Sequence, residues 1–226
     1  MNSPLATSAL FHLGPVPITE AVLITWAIMA FLGIGCRLAT RSLTLIPSTL
    51  QSTLELVVET LDLQIREATG EPPQAYRAFV GTLFIYILIA NWTALIPGIE
   101  PPTAHLETDA ALAVLVFVSV IRFGVRSNGF GGYLKTFALP NPVMIPLNIL
   151  ESLTRVFSMF VRLFGNIMSG VFVVGIVASL AGLLVPIPLM ALDLLTGAVQ
   201  AYIFAVLALV FISAASAETG DEPKRS

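Results

Sequence analysis

The chain has 226 residues, 56% of them hydrophobic and 11% charged, against about 25% charged in ordinary soluble domains, and its mean hydropathy is +0.90. A soluble fold has no means of burying that much apolar surface, so the chain belongs in a lipid bilayer. The net charge of −3, with basic residues in short clusters, excludes nucleic acid as a partner, and the lone Cys36 excludes a disulfide framework or a Cys-based metal site; no cofactor is expected.

A membrane helix needs about 20 apolar residues to cross about 30 Å of hydrocarbon. Residues 1–17 read as an outer N-terminal segment. The first span, residues 18–38, has no basic stretch before it and is followed by Arg41, which makes it a retained anchor rather than a cleaved signal peptide. Over residues 47–70, Leu50, Leu54, Val57, Val58, Leu61 and Ile65 recur at helical spacing against Gln51, Glu55, Glu59, Asp62 and Glu67, the pattern of an amphipathic surface helix. Further spans cover residues 78–96 and 110–125, the latter short. Two overlong apolar segments follow, residues 143–184 and 186–215, separated near "VPIP" and ending in a polar tail, residues 216–226. The first of these, about 63 Å as a straight helix, is twice the hydrocarbon thickness. Ordinary tilt absorbs only a few residues, so residues 143–215 are expected to form a strongly inclined hairpin. The expected fold is all-α and polytopic: about five membrane helices and one surface helix in a single membrane domain, residues 1–226.

Arg37, Arg41, Arg66 and Arg77, then Arg122, Arg126 and Lys135, and finally Lys224 and Arg225 fall on alternate loops and the tail. Glu100, Glu107 and Asp109 sit in a loop with no Lys or Arg. The positive-inside rule then puts the N-terminus outside and the C-terminus in the cytoplasm.

The fourth apolar segment carries a polar stripe. At 100° per residue, Asn148, Glu151, Arg155, Ser158, Asn166 and Ser169 fall within about 40° of Arg162, and the other faces are apolar. Such a seam must face protein or water, because an arginine at mid-membrane costs at least about 2.5–3.5 kcal/mol and does not shed its proton. One account of Arg162 is an internal ion pair with Glu151 or Asp193. The account favoured by two arginines and two amides beside one acid is an arginine lining an ion pathway. Arg155 is open between that role and snorkelling to the cytoplasmic interface. On the last segment Asp193, Thr196 and Gln200 lie within about 60° of one another and are able to face the first seam. Asp193 reads as a proton-relay acid or as a helix-bonded carboxyl near the outer interface, and Gln200 as a pathway group or an interhelical hydrogen bond.

With these residues in hand, the chain resembles subunit a of the F-type ATP synthases, the membrane stator that carries ions past a rotating c-ring. "RLFGN" (162–166) is similar to the family's signature around its essential arginine, and "VQAYIFAVLALVFI" (199–212) to its final helix with the glutamine at Gln200. "LIANWTALIPG" (88–98) and "PPTAHLETDAALAV" (101–114) resemble two earlier motifs in the right order. The resemblance covers nearly the whole chain. It implies a non-catalytic subunit of a rotary complex in the bacterial inner membrane, partnered by the c-ring, the peripheral-stalk b subunits and the bilayer, and moving H⁺ or Na⁺. It also implies that Arg162 faces the rotor carboxylate between two half-channels and prevents leakage, with Gln200 and Asn166 beside it and Ser169 and Arg155 on the same seam. Glu151 and Asn148 become candidates for the cytoplasmic half-channel.

Two departures bear on the outer half-channel. Many bacterial members have a glutamate nine residues after the arginine, where this chain has Val171. They have a histidine seven before the glutamine, where it has Asp193, and some members put an acid at that second place. Asp193 is thereby implied as the main outer carboxylate. His105 and Glu107 stand where Asp and Asn are common, so His105, Glu107 and Asp109 are either a titratable outer vestibule or a solvated loop. The rival readings are a secondary transporter, which often shows internal repeats, an intramembrane hydrolase, which needs a nucleophile with its base, and a structural subunit of another membrane complex. No convincing repeat or nucleophile elbow occurs, and the polar seams argue against a purely structural role.

Overall fold

A computed structural model of the chain describes residues 9–13, 16–41, 48–70, 72–96, 99–138, 141–182 and 185–217. The basic pair Lys224 and Arg225 of the tail, and the side chains of Leu50 and Lys135, lie outside the described residues.

The fold is all-α apart from a small antiparallel hairpin near the N-terminus, β1 (Ala9–Leu13) paired with β2 (Val16–Thr19), which the sequence reading did not anticipate. Six helices follow: α1 (Glu20–Ala39), α2 (Thr49–Thr69), α3 (Arg77–Trp92), α4 (Leu106–Ala138), α5 (Ile145–Ala181) and α6 (Pro186–Ala217). Among the described residues, five stretches are long and apolar enough to cross a membrane: Glu20–Ala39, Arg77–Leu95, Leu106–Leu134, Ile145–Leu180 and Pro186–Ser216. The third is far longer than the span expected over residues 110–125, because apolar residues resume beyond Arg122 and Arg126. Gly129, at φ 73° and ψ 162°, breaks α4 near its C-terminal end; that backbone conformation suits a residue without a Cβ.

α2 starts at a capping serine, whose Ser48 Oγ accepts from the Gln51 N–H, and it stops at Gly70 in the left-handed region, φ 68°. The Asp62 carboxylate of α2 receives two hydrogen bonds from Arg77 at the start of α3, one of them 2.6 Å from Nε. Tyr202 of α6 donates to Gln64 at 2.6 Å. Of the apolar stripe read from the sequence, Ile65 is buried, but Leu54, Val57 and Val58 are exposed in the isolated chain. Only the end of α2 nearest α3 therefore packs on the bundle.

α6 is the central helix, packed against α2, α3, α4 and α5. Its Ala201, Phe204 and Ala208 meet Leu83 and Ile87 of α3, Leu112 and Val116 of α4, and Met159 and Leu163 of α5. Its Ala205, Leu209 and Ile212 meet Ile65, Tyr76 and Val80. Between helices in lipid little hydrophobic free energy is gained, so close van der Waals fit and hydrogen bonds must hold the bundle, and small residues allow the fit. At the C-terminal end of α6, Ser127 Oγ donates to the Ser216 carbonyl at 3.2 Å and Asn128 Nδ2 to the Ala215 carbonyl at 3.1 Å. Those carbonyls belong to the last turn, which has no partners within its own helix.

At the other end one buried amide ties three elements together. Asn91, at the end of α3, donates to the Gly197 carbonyl of α6 at 2.8 Å and accepts from Thr103 Oγ1 at 2.8 Å. Thr103 lies in the single 3₁₀ turn Pro102–Ala104, and both side chains are buried. Replacing Asn91 with Leu strands the Thr103 hydroxyl and removes both bonds. The expected result is a loss of about 1–3 kcal/mol of stability, read as earlier thermal unfolding of the purified chain in detergent, and Thr103→Val should cost less.

Candidate functional site

α5 has two distinct longitudinal faces. Met159, Leu163 and Ile167 are buried in the bundle, and about 100° around the helix run Ser158, Arg162 and Ser169, all exposed. The seam thus borders the packed face and opens out of the chain. Arg162 makes no ion pair or hydrogen bond among the described residues. The internal pairing with Glu151 does not occur, because Glu151 is taken by Arg155 one helical turn away. Arg155 also lies over the Phe211 ring of α6, 5.3 Å from its centre. Ser169 Oγ donates to the Asn166 carbonyl at 2.8 Å, and Ser152 Oγ to the Asn148 carbonyl at 2.9 Å.

Two contacts set how α6 runs beside α5. Asp193 packs its carboxylate so closely on Gly170 that a Cβ at position 170 would collide with it. Arg155 meets Phe211. This antiparallel register puts Gln200 level with residues 163–166, beside Asn166 and the Arg162 turn. Gln200 is buried, and its Nε2 and the Asn166 Nδ2 are both shielded from solvent without a hydrogen-bond partner among the described residues. Two amide donors are thereby held without partners next to an unpaired guanidinium. Groups left in this way carry an uncompensated desolvation cost and are suited to water or to a side chain from another subunit.

Beyond this level, toward the C-terminal half of α5, a cavity of about 180 Å³ opens between α3, α5, α6 and the segment before α4. Asp193 and Val171, the two departures read from the sequence, both line it, together with Asn91 and Glu100. An acid contributed from α6 therefore stands in the same space that a glutamate at position 171 would enter. Thr196 Oγ1 bonds to the Asp193 carbonyl at 3.0 Å, leaving the carboxylate to the cavity and to Gly170.

His105, Glu107 and Asp109, the sequence-read vestibule, point different ways around the start of α4. α4 begins at Leu106, which puts Glu107 and Asp109 in its first turn about 160° apart. Asp109 shares the inward face of Leu112, Ala113 and Val116; it is 0% exposed, and neither carboxylate oxygen has a hydrogen-bond partner. Glu107 is exposed. His105 turns instead to Glu100, with Nε2 3.6 Å from its Oε2. Glu100 is the residue sequence reasoning passed over: it was legible as a loop acid, but nothing in the spacing placed it in one cavity with Asp193.

The model of the family described as ATP synthase A chain matches residues 22–213. A protein called "ATP synthase subunit a 2" from Bradyrhizobium sp. strain BTAi1 is 53% identical over 214 residues, 95% of this chain and 96% of the relative. "ATP synthase subunit a" from Albidiferax ferrireducens is 44% identical over 213 residues, 93% and 91% of the two chains. "ATP synthase subunit a 1" from Hahella chejuensis is 39% identical over 223 residues, 99% and 95%.

The contact between Asp193 and Gly170 yields a direct check. Gly170→Ala should destabilise the purified chain by about 1–3 kcal/mol through overpacking. Gly165→Ala, whose Cβ meets nothing within 4 Å, should instead be neutral or gain up to about 1 kcal/mol from helix propensity. Thermal unfolding in detergent reads both, and equal effects would contradict the packing described.

Proposed function

The chain belongs to the ATP synthase A chain family, and from that premise we propose that it is the ion-conducting stator of its complex, loading and unloading the carboxylates of a c-ring through two half-channels. It is an integral, multi-pass and non-catalytic membrane subunit of an F-type ATP synthase. The observation that carries the finer reading is Arg162: a permanent charge, exposed on the outward seam of an apolar helix, with no counter-ion among the described residues. Such a charge in a bilayer requires a partner outside the chain. A carboxylate moving past on a ring of c subunits supplies it.

The physics of the role follows. A fixed guanidinium favours the ionised form of an acid brought beside it, so a rotor carboxyl arriving loaded releases its ion toward one side. The same charge repels a cation attempting to pass straight through. Gln200 and Asn166, level with Arg162 and unpartnered, are read as donors that hold water or the rotor carboxylate near it, with Ser169 above. Asp193 in its cavity is read as the carboxylate of the outer half-channel. Asn148, Glu151 and Arg155, on the seam toward the opposite end, are read as the inner one. Each elementary charge that crosses delivers about 2.3 kcal/mol per 100 mV, and that free energy drives rotation.

The remaining assignments are part of the same reading. The chain forms one membrane domain over residues 1–226, with the N-terminus outside, the C-terminus in the cytoplasm, and the bacterial inner membrane as its site; the exposed Arg122 and Arg126 near the break in α4 support that orientation. The peripheral-stalk b subunits and the lipid are its other partners, and the ion is H⁺ or Na⁺. α5, at 37 residues, is about 55 Å long and must lie inclined to stay within about 30 Å of hydrocarbon.

Arg162→Ala is expected to abolish ATP-driven ion pumping by reconstituted complexes that still assemble, and normal pumping would refute the assignment. Asp193→Asn should slow ATP-driven pumping and ATP synthesis at every pH. An unchanged rate removes Asp193 from the path.

A further inference from the structure

We infer that Glu100, paired with His105, is the mouth of the outer half-channel, the group that draws the ion into the cavity before Asp193 receives it. This rests on the reading of Asp193 as the outer carboxylate. Among the residues lining the cavity, Glu100 and Asp193 are the two that ionise; most of the rest, Val171, Val174 and Gly175 of α5 included, are apolar. The two acids differ in depth. The Glu100 side chain is 69% exposed, whereas Asp193 is half-buried against Gly170. An ion entering from outside therefore meets Glu100 first.

The mouth is built on rigid backbone. Pro101, Pro102 and Thr103 are buried, and the turn they form is pinned through Asn91 to the Gly197 carbonyl of α6, one helical turn beyond Asp193. The His105 carbonyl accepts the Thr108 and Asp109 amides at 3.1 and 3.4 Å, which fixes the histidine at the start of α4. Its ring is only 19% exposed, and Nε2 stands 3.6 Å from the Glu100 carboxylate.

Charge gives the pair its function. A negative group at the entrance of a low-dielectric cleft raises the local concentration of cations, H⁺ and Na⁺ alike. His105, with its Nε2 3.6 Å from the Glu100 Oε2, holds that carboxylate at the edge of the cavity. The charged groups on the surrounding elements are Glu107 and Asp109 of α4, Asp193 of α6 and Glu20 at the start of α1, all acids. The facing stretches of α3 and α5, residues 91–95 and 171–175, contribute none.

The experiment uses the intact complex in liposomes, synthesising ATP under an imposed membrane potential, while the pH and, separately, the Na⁺ concentration of the compartment facing the loop of Glu100 are varied. Glu100→Gln should raise the half-saturating concentration of the driving ion about three- to tenfold, while the saturated rate falls by less than about twofold. His105→Gln, which removes the ring held 3.6 Å from the Glu100 carboxylate, should shift the half-saturating concentration by less than Glu100→Gln does, and that shift should vanish in the double variant with Glu100→Gln. Unchanged half-saturation in Glu100→Gln, with Asp193→Asn slow, overturns the mouth and leaves the outer-carboxylate reading intact. Unimpaired synthesis by Asp193→Asn overturns that reading itself.

Discussion

Hydrocarbon offers no hydrogen bonds, and the arrangement of polar groups in this chain follows from that one constraint. Asn91 meets it by bonding at both ends, to Thr103 and to the Gly197 carbonyl, and so locks α3, the turn before α4 and α6 together. The last carbonyls of α6 meet it with Ser127 and Asn128 from α4. Against this background of paired groups, three exceptions share one level of the hairpin, where Arg162, the Gln200 amide and the Asn166 amide have no partner among the described residues; the Asp109 carboxylate and the Thr19 hydroxyl are unpartnered elsewhere. In a bilayer such groups are retained for function more readily than for stability, and a partner subunit that brings an acid past them removes the cost.

α6 is where the structural and functional demands meet. Its small residues, Gly197, Ala201, Ala205 and Ala208, allow α3, α4 and α5 to approach closely on several sides. On the same helix Asp193 and Gln200, about 20° apart in projection, are held toward α5. The glycine at 170 serves the same end from the other helix: without a Cβ it admits a carboxylate into the interface. A rigid central helix with two polar groups in fixed register suits the proposed ion path, which has to stay aligned beside a moving rotor.

The two ends of the seam are built differently. At the N-terminal end of α5, Glu151 and Arg155 form an exposed ion pair one turn apart, of a kind worth only about 0.3–0.5 kcal/mol, with Arg155 further held on Phe211. Such a pair is easily opened. At the other end, the acids are separated in depth within one cavity, and their supports are the prolines and the Asn91 node rather than other charges. The end at Glu151 and Arg155 is thus adaptable and the end at Asp193 preorganised.

Much of this was legible in the sequence because lipid makes the code simple. Length and hydropathy mark the membrane helices, since a span has a required length. The 100° advance per residue lined up Arg162 with Asn166 and Ser169, since helical periodicity is local. The motif "RLFGN" carried the family. What depended on distant parts of the chain did not show. The partner choice of Glu151 was set by Arg155 lying about two turns nearer than Arg162. Asp109 went to the core rather than to a vestibule, because α4 begins at Leu106 and so fixes which way its first turn faces. Glu100 joined Asp193 only because a buried amide 9 residues before it, Asn91, folds the loop down onto α6. Sequence by itself determined which residues share a helix face. The tertiary structure alone decided which faces meet, because packing sets the register between helices and periodicity carries no information about it.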